Sequence, residues 1–286
     1  MYERAMTRVE PGCVIILIDQ SGSMNEPFQQ LGAKKDECAK AVNNVIRELS
    51  LACMAGDELK RRLYLAVLGY GGRKEGDDWV ERVESAIPNQ GAVLVGIDQL
   101  ADNPLRVDEV EKRFPDGAGG LVTQTVPSPV WVDPVGSGST PMHLALRQAG
   151  ALAAAFARDN PRSFPPIVIN ITDGEPDDFD KAKAEARSLG AIRTDDGAAL
   201  LFNVHIASSK AKPLVFPTET PGFTGKLGEF AAFLFETASP LPPFHVQAAA
   251  KVGIAAREGA VGFIFNADAE ALICLLNIGT TTTDPR

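Results

Sequence analysis

The sequence predicts an α/β fold: a doubly wound, mostly parallel sheet flanked by helices, with one antiparallel edge strand. Three observations predict it. Residues 13–18 are a continuous apolar run and 167–172 read as a second buried, mostly apolar strand, the pattern of strands covered on both faces. Such runs alternate with stretches of helical periodicity, and that βαβ order calls for right-handed crossovers and helices on both faces of the sheet. Oxygen-rich and glycine-rich loops follow the strand ends, and the carboxyl ends of strands are where open α/β sheets place their ligands.

In chain order, residues 1–12 read as a polar lead-in and 13–18 as the first strand. A helix is expected over 35–55, because Val42, Val45, Ile46, Leu49, Ala52 and Cys53 recur on one face; Gly56-Asp57 ends it. The next strand, 62–70, carries Leu63, Leu65, Val67 and Leu68 and is expected to break at Gly69-Tyr70-Gly71-Gly72. Residues 79–87 and 91–97 read as short strands forming a hairpin or edge pair, and 107–114 as a short helix. A turn cluster occupies 115–120, and 126–134 is extended and proline-pinned, which excludes a central strand. The surplus over 73–135 reads as an insertion near the ligand-bearing face.

Downstream, 141–158 reads as a helix with its stripe at Met142, Ala145, Leu146, Ala149, Leu152, Ala153 and Phe156. Then come strand 167–172, helix 180–189, strand 200–207 and a Pro/Thr/Lys loop over 208–226. Helices are expected over 227–235, 245–257 and 267–276, with a last strand at 262–265 and a frayed tail at 280–286. Trp79 and Trp131 read as packing residues. The expectation is one domain over 1–286, with the insertion and a C-terminal helical extension.

Bulk properties narrow the function. The chain has 286 residues and 45% hydrophobic content, enough for a full α/β core. Net charge is −9 without a basic cluster, which argues against nucleic acid and anionic membrane as partners. Cys13, Cys38, Cys53 and Cys274 form no C-x-x-C pair and have no histidine at zinc-ligand spacing, so they read as buried, reduced thiols. Neither a secretion signal nor a stretch of ~20 apolar residues is evident, so the expected location is cytoplasmic.

The chemistry concentrates at Asp19-Gln20-Ser21-Gly22-Ser23-Met24, directly after the first strand. A D-x-S-x-S spacing turns a carboxylate and two hydroxyls toward one point as the backbone leaves the strand. Oxygen donors without sulfur or imidazole suit a hard cation: Mg2+ first, with Mn2+ and Ca2+ as alternatives. Two further oxygen side chains stand at similar junctions. Thr140 lies where the loop Gly136-Ser137-Gly138-Ser139 opens a helix, and Asp173 ends the strand Val168-Ile169-Asn170-Ile171-Thr172.

That combination resembles the von Willebrand factor A domain. Asp19, Ser21, Ser23, Thr140 and Asp173 match, in order, all five positions of its metal-ion-dependent adhesion site. The resemblance implies that these residues hold the cation, with one coordination position open for a partner's Glu or Asp carboxylate. It also implies a docking face at Gln20, Met24, Asn25, Gly138, Ser139, Gly174 and Glu175. Thr172-Asp173-Gly174-Glu175-Pro176-Asp177-Asp178 further resembles the T-D-G-x-P-x-D signature of the cytoplasmic bacterial, tellurium-resistance TerY-like kind. That implies a stress or signalling system, with a protein kinase or phosphatase as the kind of partner.

Each residue also has a plainer role. The aspartates could make Asx turns, the hydroxyls could cap turns, and Thr140 before Pro141 is a good N-cap. Asp177 and Asp178 read as caps of the next helix, and His143 as a packing residue within reach of Thr140. Two other readings compete with a metal-dependent interaction module. One is an Mg2+-dependent phosphatase or hydrolase with Asp19 as nucleophile, although no phosphate-binding glycine loop with lysine and no G-x-S-x-G elbow is present. The other is a scaffold whose open position is filled internally by Asp77, Asp78 or Asp116.

Overall fold

A computed structural model describes residues 2–28, 31–88, 91–115, 120–207 and 211–280. The central strand is β1, Gly12–Asp19, all eight of whose residues are buried. It pairs in parallel with β2 (Leu63–Glu75) and with β5 (Ile167–Thr172). Beyond β5 follow β6 (Leu200–Ile206) and β8 (Phe263–Ala267), also parallel. Antiparallel strands close the edges: β3 (Asp78–Ser85) on β2, and the two-residue β7 (Leu214–Val215) on β8. The short β4 (Val95–Gly96) also pairs with β2. The order is β7-β8-β6-β5-β1-β2-β3.

Strand alternation sorts the apolar side chains between two layers. Val14, Ile16 and Ile18 join the core under α1 (Lys34–Ala52), α2 (Ile97–Ala101), α6 (Pro243–Lys251) and α7 (Ala269–Thr280). Cys13, Ile15 and Leu17 face α3 (Met142–Asp159), α4 (Phe179–Gly190) and α5 (Gly225–Thr237). Each fully buried Ile or Leu contributes about 1.5–3 kcal/mol of apolar transfer, which is why the continuous run is a reliable strand signal. The polar members of these strands are satisfied. The Tyr70 hydroxyl donates to Asn170 Oδ1 (2.9 Å), Asn170 Nδ2 to Asn203 Oδ1 (3.2 Å), and Asn203 Nδ2 to Thr237 Oγ1 (3.0 Å).

Several expectations need correction. Gly69-Tyr70-Gly71-Gly72 does not break its strand; β2 runs through it to Glu75. Residues 107–114 are not a helix but part of a two-stranded ribbon, Arg106–Pro115 against Leu121–Val130. The apolar residues at 107, 110 and 114 mimic helical spacing, but the ribbon is largely exposed and no core selects a helical face. Pro127 and Pro129 sit on this isolated ribbon, away from the main sheet, as their missing N–H groups require. Only residues 95–96 of the expected 91–97 strand are strand.

Helix α1 ends at Ala52, so exposed Ala52 and C-cap Cys53 fall outside the buried stripe, although Cys53 is itself buried. Helix α6 ends at Lys251 rather than at 257. Thr280 belongs to α7, where its hydroxyl donates to Leu276 O (2.7 Å). The tail at 281–286 and the turn residues 116–119, Asp116 among them, lie outside the described residues. Trp131 is buried and its indole donates to Leu100 O (2.7 Å). Trp79, expected to pack, is 59% exposed. The four cysteines are free. Among the described residues no helix is long and apolar enough to cross a membrane.

Candidate metal centre

β1 ends in Asp19, whose side chain is fully buried and held from two sides. Its Oδ1 accepts from the Ser21 N–H (2.8 Å) and its Oδ2 from the Thr172 hydroxyl (2.8 Å). The first bond curls the chain out of the strand. A short 3-10 turn, Gly22–Asn25, then follows and brings Ser21 Oγ within 3.0 Å of Ser23 Oγ. Ser23 Oγ donates in turn to Asp173 Oδ1 (2.8 Å), at the end of the neighbouring strand β5. A Cβ on Gly174 would lie 3.9 Å from Ser23 Oγ and 4.0 Å from Thr140 Oγ1, so both hydroxyls flank that glycine. Three chain segments thus converge at the carboxyl ends of β1 and β5.

Thr140 is fixed by reciprocal bonds: its N–H donates to Asp177 Oδ1 (3.1 Å), and the Asp177 N–H donates to Thr140 O (3.1 Å). Asp177 therefore positions the threonine, whereas Asp178 is the N-cap of α4, accepting from the Lys181 N–H (2.9 Å). The loop before Thr140 rests on the glycines of β2. Gly72 N–H donates to Ser137 O (2.8 Å) and Gly22 N–H to Gly138 O (2.9 Å). Gly138 has φ +78°, and a Cβ there would lie 2.3 Å from Gly72 Cα. The glycine run expected to terminate the strand is instead the flat platform on which the metal-motif loops sit.

The electrostatics are those of two buried carboxylates in need of a cation. Burial, and after it the Asp173 carboxylate, push Asp19 up to about 7. The cation beside them is Lys34, which the motif spacing does not single out. It is the first residue of α1, only 5% exposed, and its ammonium donates to Asp173 Oδ2 (2.8 Å) and Glu26 Oε2 (2.9 Å). Burial alone would pull the Lys34 ammonium down, but the bonds to Asp173 and Glu26 outweigh it and leave it raised. His205, next to Thr172 on β6, stacks on Phe265 at 4.2 Å. Burial, then the nearby Lys34 charge, pull His205 down to about 3.

Of the residues expected on a docking face, Ser139 and Glu175 are exposed, and Gly174 is half-buried. Exposed Asn25 is committed internally, its amide donating to Gly22 O and Gly136 O (3.0 Å each). Half-buried Gln20 lies across Gly69, and Gly138 is packed on Gly72. Met24 corrects the expectation: it is fully buried, because the 3-10 turn points its side chain into the core beside α1. His143 is buried in α3, and its Nδ1 has no hydrogen-bond partner among the described residues. Asp77 and Asp78 are exposed where β2 turns into β3. Among the described residues no group of three or more His, Cys, Asp or Glu could hold a metal; the donors gathered here are two carboxylates and three hydroxyls.

No family model and no curated protein matches the chain. Among solved structures it is similar to the manganese-loaded TRAP protein of Plasmodium vivax, at 14% identity and a TM-score of 0.46, covering 96% of this chain and 75% of that one. It is also similar to proximal thread matrix protein 1 from the mussel byssus, a form of which has a zinc-occupied MIDAS motif. The identity is 14% and the TM-score 0.44, over 94% of this chain and 47% of that one. A third is the PilB minor pilin of Streptococcus sanguinis, at 10% identity and a TM-score of 0.41, covering 94% of this chain and 60% of that one. The chain thus spans about half the length of the byssus protein. Likenesses this distant say nothing of activity or partner, and the fold stands on the chain's own strand order.

Proposed function

We propose that Asp19, Ser21, Ser23, Thr140 and Asp173 hold a divalent cation, and that the protein is a non-enzymatic module that captures an acidic side chain of a protein partner through it. The observation that carries this reading is the convergence of three hydroxyls and two buried carboxylates, from three separate segments, at the strand ends. The donor set fits a hard cation such as Mg2+, with Mn2+ as a close substitute. The Ser23 proton is directed at Asp173, which leaves oxygen lone pairs for an ion. Two carboxylates balance the ion's double charge, and the three neutral hydroxyls add none, so a partner carboxylate can join a position left open without meeting a surplus of negative charge.

A hydrolase with Asp19 as nucleophile is the weaker reading, since both Asp19 oxygens are buried and already accept hydrogen bonds. The T-D-G-x-P-x-D segment favours a partner from a cytoplasmic kinase or phosphatase signalling system. Mn2+ bound to metal-stripped protein, followed by electron paramagnetic resonance, tests the core of the proposal. One bound ion whose spectrum changes on adding acetate is the expected result. Equal Mn2+ binding by a Ser21→Ala/Ser23→Ala variant would overturn it.

A further inference from the structure

Lys34 stands in a position that ordinary helix chemistry disfavours. It is buried at the first turn of α1, where the helix dipole is positive and acidic side chains are preferred; Asp36 and Glu37 fill that preference in the same turn. Its ammonium meets Asp173 at 2.8 Å, and Asp173 is one of the carboxylates a divalent ion needs. The second contact differs in kind. Glu26 is 59% exposed in its side chain and lies on the outer side of the same loop.

The backbone keeps this second partner in reach. A small ribbon pairs Pro27 with Ala33 and Phe28 with Gly32, and Lys34 N–H donates to Glu26 O (3.0 Å). Lys34 is therefore pinned beside Glu26 whatever happens at Asp173.

We infer that Lys34 is a tethered competitor for the cation site: its ammonium neutralises Asp173 when no ion is bound, and gives way by retaining only its Glu26 contact when a divalent ion enters. The inference rests on the metal reading above. It deepens that reading by making occupancy an exchange of one cation for another. A full buried charge is removed from one carboxylate as another arrives, so the site never holds two uncompensated carboxylates. Its ion affinity is set below what the five donors alone would give.

Calorimetric titration of metal-stripped protein with Mn2+ tests this in the parent and in K34M, K34R and E26Q, with D173A as the site control. Removing a unit charge a few ångströms from the ion is expected to tighten binding about tenfold or more in K34M. K34R should stay near the parent, and E26Q should bind more weakly, because the displaced ammonium loses its second anchor. E26Q leaves the Lys34–Asp173 pair intact, so it decides the matter should metal-free K34M fail to fold. Binding in K34M that equals or falls below the parent's, or an E26Q that matches the parent, would overturn the competitor while leaving the metal site standing. Absence of Mn2+ binding from the parent and every variant would overturn both.

Discussion

Substituting Gly138 by alanine should cripple the loop that carries Thr140 without touching any proposed ligand. Two costs add. Gly138 has φ +78°, a region that costs an L-residue about 1–2 kcal/mol. The new methyl would sit 2.3 Å from Gly72 Cα and 2.5 Å from Gly72 N, backbone atoms that cannot swing aside. Relieving such an overlap costs roughly 1–3 kcal/mol. The loop is also stitched down by Gly72 N–H to Ser137 O and Gly22 N–H to Gly138 O, so any shift strains those bonds. The sum is about 2–5 kcal/mol, and each kcal/mol is worth roughly 2–4 °C in Tm for a chain of this size class. Gly150→Ala is the matched control. It lies inside α3 with nothing within 4 Å of the added methyl, so it should gain about 0.5–1 kcal/mol. Urea unfolding of the two variants beside the parent measures both. A Gly138→Ala protein within about 0.5 kcal/mol of the parent would refute the packing argument.

Other consequences follow from the buried polar groups. Tyr70→Phe removes the donor to Asn170 Oδ1 and should cost about 1–3 kcal/mol in denaturant unfolding, more than the lost ring polarity would at an exposed site. The pH profile of metal-free protein should carry two opposing signatures. Asp19 is raised to about 7 by burial and then by Asp173, so the folded state binds more protons than the unfolded chain, and its contribution is lost as pH rises from about 4 through 7. His205 is lowered to about 3 by burial and then by Lys34, so its contribution is lost as pH falls from about 6.5 toward 3. Thermal melts across pH 4 to 8 should therefore lose the Asp19-linked decline between about pH 4 and 7 in Asp19→Asn, and a slope there unchanged by that substitution would count against the assignment.

The frame of this fold is legible because its central strands are buried on both faces. β1 announces itself as an unbroken apolar run over 13–18 and β5 as a mostly apolar one, and β5 spans the same residues, 167–172, that its pattern predicts. Where burial is absent the sequence misleads: the largely exposed strands 106–115 and 121–130 offer no apolar face to set a period, and three spaced hydrophobic residues mimic a helix. Glycines are the other source of error. In β2 they do not end a strand but admit the neighbouring loop, a reason that lies in Gly138 and Gln20, far away in sequence. The convergence of Asp19, Ser21, Ser23, Thr140 and Asp173, the proposed ligands, is readable because each residue sits at a strand or loop end. Lys34 is not, since its partner Asp173 lies 139 residues away. Its one signal is a lysine at a helix start that prefers acids. Thr172, which holds Asp19 from the next strand, is equally hidden, although a threonine directly before a strand-end aspartate offers a hint.

The most direct test of the account is calorimetric titration of metal-stripped protein with Mg2+ and with Mn2+, run beside Asp19→Ala. The account predicts one ion per chain in the parent and none in the variant, with Mg2+ and Mn2+ competing for the same site. Binding that survives Asp19→Ala unchanged, or a parent that takes up neither ion, would contradict it.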